Sequence, residues 1–247
     1  MPRSNELAGG DPSGYQAAEL RQGSHATRLN SLRAAVLGAN DGIVSTAGIV
    51  IGVAGATSDA VTTLTAGIAG LTAGALSMAV GEFVSVSAQR DTERALLDKE
   101  RRELEEMPEQ ELAELAGLYE KKGLPVDLAR LVAQHLHEHD ALAAHAETEL
   151  GIDPENLTSP VVAAVSSALS FAVGSLLPLL AMVLAPPSIR IEVTVVAVVI
   201  GLTLTGYLSA KVGGGPILRS IVRNIGGGLL AMGVTYWIGR LVGTTIK

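Results

Sequence analysis

The chain has 247 residues, of which 25 are acidic and 18 basic, giving a net charge of -7 with 48% hydrophobic and only 3% aromatic residues. The absence of cysteine excludes disulfides, thiolate-bound zinc, iron–sulfur clusters and cysteine nucleophiles. A pI near 5.3 with so few aromatics argues against nucleic-acid binding.

Residues 1–30 are rich in Gly, Ser and charge and lack an apolar stretch, which predicts a mobile tail and no cleavable signal peptide. Beyond them, charge nearly vanishes. From Ala34 to Ser58 the sole charged residue is Asp41, from Ala60 to Gln89 it is Glu82, and 156–189 and 193–210 carry none. A helix needs about 20 apolar residues to cross some 30 Å of hydrocarbon. Five spans are therefore predicted, at 32–56, 60–88, 159–184, 192–210 and 219–243. The uninterrupted stretch 60–89 makes a helix of about 45 Å, so it should project past the bilayer and continue into the next segment.

That segment is a different material. Residues 90–150 hold 16 acidic and 8 basic side chains, a net of -8, and four of the five histidines. Pro108 and Pro125 fit the first turns of new helices, and Gly123 and Gly151 fall where C-terminal caps belong. The chain reads as an all-α membrane protein: a tail at 1–30, two spans within 31–89, an inserted three-helix acidic domain at 90–152, and three spans within 153–247. With the N-terminus in the cytosol, Arg21, Arg28, Arg33, Lys211, Arg219, Arg223 and the eight bases of the inserted domain are cytosolic. Arg190, Arg240 and Lys247 stand on the other side. This asymmetry makes the acidic domain cytosolic by the positive-inside rule.

Three sets of residues offer chemistry. Asp41 lies inside the first span, where an ionisable group costs about 2.5–3.5 kcal/mol unless it has a partner, a water path or the interface within reach. Glu82 lies in the second span with Met78 one turn earlier, a hard and a soft donor together, although a Met in an apolar helix also serves plain packing. Neither span contains a Lys or Arg within its apolar stretch, so a cation or a proton must supply the balance. In the acidic domain, Glu100 and Glu103, and again Glu111 and Glu114, are three apart and share a helix face. His135 and His139, and His145 and Glu149, have the four-residue spacing of helical metal ligands, with His137 between the first two. Such charge-rich faces are also commonly just solvated, with pairs such as Lys99 and Glu103. No HExxH, phosphate loop or Ser/His/Asp set is present, so no enzymatic chemistry is predicted.

Asn40-Asp41-Gly42 with Ser45, the run from Gly74 to Glu82 (GALSMAVGE), and Ser167 to Gly174 (SALSFAVG) leading to Pro178 resemble the vacuolar iron transporter (VIT) family, over roughly residues 29–243. The resemblance implies five transmembrane helices, a homodimer with the ion path at its two-fold interface, and export of Fe²⁺ or Mn²⁺ from the cytosol in exchange for protons. It also implies pore roles for Asp41 and Met78, with Glu82 in the same motif. Glu100, Glu103, Glu111, Glu114 and Glu149 then match the glutamates of a cytosolic metal-binding domain. The chain departs from eukaryotic members in carrying His145-Ala146 where they have a Met-Met pair. Imidazole there accepts iron, manganese, zinc and cobalt, so Zn²⁺ and Co²⁺ join the candidate ions. No prosthetic group is implied.

The mechanism these readings predict begins with capture of metal by the acidic domain, whose field concentrates cations. The ion passes to Asp41 and Met78, and protonation from the far side releases it. A membrane-anchored metal buffer or sensor is the alternative, with the spans as anchors. The intramembrane carboxylates favour transport, and the compact five-span plan points to a bacterial plasma membrane.

Overall fold

The computed structural model describes residues 12–245, all of whose regular elements are helices. They are α1 (Pro12–Ala56), α2 (Ala60–Glu106), α3 (Pro108–Lys121), α4 (Val126–His145) with a π-helical turn at Ala146–Leu150, α5 (Pro160–Leu184), α6 (Arg190–Gly213) and α7 (Ile217–Thr245). Of the predicted tail, residues 1–11 lie outside the described residues, and the backbone from Pro12 onward belongs to α1. The side chains of Arg21, Arg28, Arg33 and Lys247, which enter the charge asymmetry, lie outside them too.

Five helices are long and apolar enough to cross a membrane: Ala34–Ala56 of α1, then α2, α5, α6 and α7. The second runs 47 residues, about 70 Å at 1.5 Å per residue. The continuation foreseen from the apolar stretch at 60–89 therefore extends to Glu106. Asp59 starts it: its carboxylate accepts from the backbone N–H groups of Val61 (3.3 Å) and Thr62 (2.9 Å), as an N-cap does.

The chain divides into two compact units. The first contains α1, α6, α7, α2 up to Ala79 and α5 from Val165. Its core joins Ile43, Ala47, Val50 and Ile51 of α1 to Leu179 and Met182 of α5, Val198 and Leu202 of α6, and Met232 of α7. Helices α1 and α5 approach so closely that a Cβ at Gly42 would meet the Phe171 carbonyl, and one at Gly174 the Ala39 carbonyl. Such small-residue contacts replace a hydrophobic driving force that lipid does not supply. Outward-facing Leu169, Val173, Val196, Ile200, Leu230 and Trp237 are exposed, the surface that hydrocarbon requires and water penalises. Pro178 lies within α5 without ending it, and Gly214, at φ 66°, closes α6 in the left-handed conformation.

The second unit runs from Val80 to Ala164. Pro108 opens α3 as predicted; Pro125 is the N-cap of α4, one position before its first turn. Leu115, Ala116 and Ala133 pack α3 on α4, while Leu97, Ala146 and Ile152 tie α2 to the π-helical turn. Helix α4 is broken at Asp140 (φ -156°, ψ 96°), whose carboxylate accepts from the N–H of Ala143 (2.9 Å) and restarts the helix.

Candidate metal centre

In the first unit, Asp41 and Met78 line one cavity of about 510 Å³ together with Asn40 of α1 and Arg223 and Asn224 of α7. Asp41 is exposed on this face and accepts a hydrogen bond from the Ser45 hydroxyl one turn on (2.9 Å). Its neighbour Asn40, on the same cavity, has its side-chain oxygen accepting from the Thr205 hydroxyl and the Asn224 amide, both at 3.0 Å. This polar knot of α1, α6 and α7 anchors the register of α1 immediately beside Asp41. The cavity also corrects one expectation. No base lies within the apolar stretches of the first two spans, but Arg223, assigned above only to the cytosolic side, comes to the carboxylate's cavity from α7. No ion pair within 4.0 Å joins it to Asp41 among the described residues. Glu82 is half-buried on α2 and belongs to the second unit.

The second unit holds a denser group. Glu100 of α2, Glu111 of α3 and His145 at the end of α4 offer ligand atoms that all lie within 4.8 Å of one another. The Nδ1 atom of His145 is 2.9 Å from Glu100 Oε1, 3.7 Å from Glu111 Oε2 and 4.0 Å from Glu149 Oε2. The His145 side chain is 0% exposed and that of Glu100 only 4%, so water cannot satisfy them. Yet Glu100 Oε1 and both His145 ring nitrogens lack any hydrogen-bond partner. Buried polar atoms are ordinarily paired. Donor atoms that crowd together without bonding one another fit a shared cation, which imidazole and carboxylate bind at about 2.0–2.2 Å in the case of zinc.

The electrostatics agree. Burial, then the charges of Glu149, Glu111 and Glu103, push the Glu100 carboxyl up to about 7. Burial raises Glu111 and Glu149 as well, helped in both by Glu114. Burial, then His137, lowers His145 and so favours neutral imidazole, the metal-binding form. Like charges held together at a cost to their ionised forms are stabilised by a divalent ion.

The sequence-predicted residues thus separate. Glu100, Glu111, His145 and Glu149 converge; Glu103 is close enough to act on its neighbours but accepts from Lys99 Nζ at 2.6 Å, the pairing foreseen for a solvated face. Glu114 is exposed and contributes charge. His135 and His139 are both exposed, and the His135 Nδ1 bonds to the Leu131 carbonyl (3.0 Å). Their spacing brings them into no three-ligand group among the described residues. Sequence spacing missed Thr205, Arg223 and Asn224, for which the available signal was a polar pair near the start of an apolar helix.

Residues 32–240 match the VIT family. The chain is 42% identical over 212 residues to the vacuolar iron transporter of Acanthamoeba castellanii, covering 85% of this chain and 78% of that protein. It is 37% identical over 221 residues to vacuolar iron transporter homolog 4 of Arabidopsis thaliana, covering 89% and 88%. It is 38% identical over 221 residues to vacuolar iron transporter homolog 1 of Oryza sativa, covering 89% and 77%.

Proposed function

The chain belongs to the VIT family, integral membrane transporters rather than enzymes, and from that premise we propose that it exports divalent transition metals, Fe²⁺ or Mn²⁺, from the cytosol in exchange for protons. Zn²⁺ and Co²⁺ are further candidate ions, because the buried imidazole accepts them as well. The observation that carries the reading is the cavity shared by the Asp41 carboxylate and the Met78 thioether in helices long enough to span. A hard and a soft donor facing one space suit a transition metal better than Ca²⁺ or Mg²⁺.

In this reading the acidic unit lies in the cytosol and captures ions through Glu100, Glu111, His145 and Glu149. Glu103 and Glu114 supply further negative charge, which raises the local cation concentration. The ion then moves to Asp41 and Met78, with Glu82 further along α2. A homodimer would pair two such half-sites. It is supported by the exposed position of Asp41 and by α2, whose most apolar window is only 6% buried within one chain. Protons arriving from the far side neutralise the carboxylates and release the metal. A bacterial plasma membrane is the proposed location. The buffer or sensor alternative draws on the buried Glu100–Glu111–His145 group, which binds metal whether or not the spans conduct it.

The test is uptake into proteoliposomes loaded with a metal-sensitive dye, comparing Fe²⁺, Mn²⁺, Zn²⁺ and Ca²⁺ with and without an opposing proton gradient. Gradient-dependent entry of transition metals, lost in Asp41→Ala, is expected. Metal binding without flux under any gradient would leave the buffer.

A further inference from the structure

The group around His145 contains a nitrogen that the carboxylates do not account for. Glu100, Glu111 and Glu149 all approach His145 at its Nδ1. A metal shared with those carboxylates therefore takes the Nδ1 lone pair, and the ring proton must sit on Nε2. That atom is buried and has no partner. A metal-bound histidine almost always donates its other N–H to an acceptor, which fixes the tautomer and the ring's orientation.

One neighbour offers that acceptor. The ring of His137 stands edge-on to His145, centroids 6.0 Å apart and planes at 70°. Its Nδ1 is likewise buried and without a partner. In a straight helix, eight residues rise about 12 Å, which would hold these rings apart. The break at Asp140, between them, folds the end of α4 back so that they meet. The spacing is therefore invisible to any rule of helical periodicity.

In this structure the two nitrogens do not bond each other, since neither has a partner; we propose that His137 is a positioning residue whose Nδ1 takes up the Nε2–H of His145 when a metal occupies Nδ1, and so keeps that lone pair directed at the carboxylates. This rests on the reading of Glu100, Glu111 and His145 as a metal seat, and it adds a residue that contacts no metal. The imidazole contributes most to ions that favour nitrogen ligands, Zn²⁺ and Co²⁺, and least to Mn²⁺, which carboxylates suit. Losing His137 should consequently change selectivity as well as affinity.

The experiment titrates full-length protein in detergent with Co²⁺, Zn²⁺ and Mn²⁺, following the Co²⁺ visible absorption as a direct reading of nitrogen ligation. Loss of an outer-shell partner typically costs about 10–100-fold in metal affinity, so His137→Ala should weaken Co²⁺ and Zn²⁺ by at least tenfold and Mn²⁺ by much less. His137→Gln, which restores a side-chain acceptor, should recover most of the loss and answers for any folding defect in the alanine variant. In a His145→Ala background, His137→Ala should have no further effect. Equal losses in the two backgrounds, or an unchanged Co²⁺ spectrum and affinity in both single variants, would overturn the inference. Retention of parent affinity by Glu100→Gln/Glu111→Gln would instead sink the metal seat itself.

Discussion

The two units hold their acids in opposite ways. In the membrane unit a single carboxylate, Asp41, stands at a cavity with a hydroxyl one turn away and a guanidinium across the space. In the second unit several carboxylates crowd a histidine, with Glu100 Oε1 and both His145 ring nitrogens buried and unbonded. In the proposed reading the first arrangement conducts and the second captures. A conducting site must bind weakly enough to release, which one carboxylate and one thioether would allow. A capture site would gain from concentrated ligands, whose repulsion a bound cation relieves.

The contrast can be broken first at the capture site. Glu100→Gln with Glu111→Gln removes two of the four converging side chains, and calorimetric titration should show metal affinity falling by about 100-fold or more, given tenfold losses for mere outer-shell changes. Gly174→Leu attacks the membrane unit instead, because α5 has no room for a side chain against the Ala39 carbonyl. Overpacking typically costs about 1–3 kcal/mol, and a lowered unfolding temperature in detergent should report it without altering metal affinity at the second unit.

A third probe is pH. The Glu100 carboxyl, raised to about 7, must lose its proton before it ligates. Apparent affinity should therefore fall as pH drops from 7.5 to 6, approaching tenfold per unit for each proton displaced. The sign for apo stability is opposite: the raised Glu100 contributes stability that is full below its ordinary 4.5 and lost as pH rises through about 7. The smallest effect belongs to Asn224→Ala, which removes one hydrogen bond to Asn40 and should cost about 1 kcal/mol. Transport should suffer more than stability, since Asn40 adjoins Asp41.

Much of this was legible in the order of residues. Charge-free stretches located the spans because a bilayer selects on composition over about 20 residues. The length of the stretch before Arg90 foretold that α2 would run on. Asp41 and Met78, which line one cavity, stand out in the sequence as a charge and a sulfur among apolar neighbours. Contacts across long separations were not legible: Asn40 meets Thr205 and Asn224 only through the packing of α1, α6 and α7. Four-residue spacing pointed to two histidine pairs of different fate: His145 and Glu149 converge, whereas His135 and His139 are exposed. The residue that approaches His145 is His137, brought there by a backbone break at Asp140.

The division between conduction and capture is tested most directly by the metal-concentration dependence of uptake in three proteins: the parent, Asp41→Ala and Glu100→Gln/Glu111→Gln. Asp41→Ala should lose the maximal rate down to the protein-free background while still binding metal at the second unit. The double variant should keep a measurable maximal rate but need a higher metal concentration to reach half of it. Uptake by Asp41→Ala at the parent rate would contradict the account.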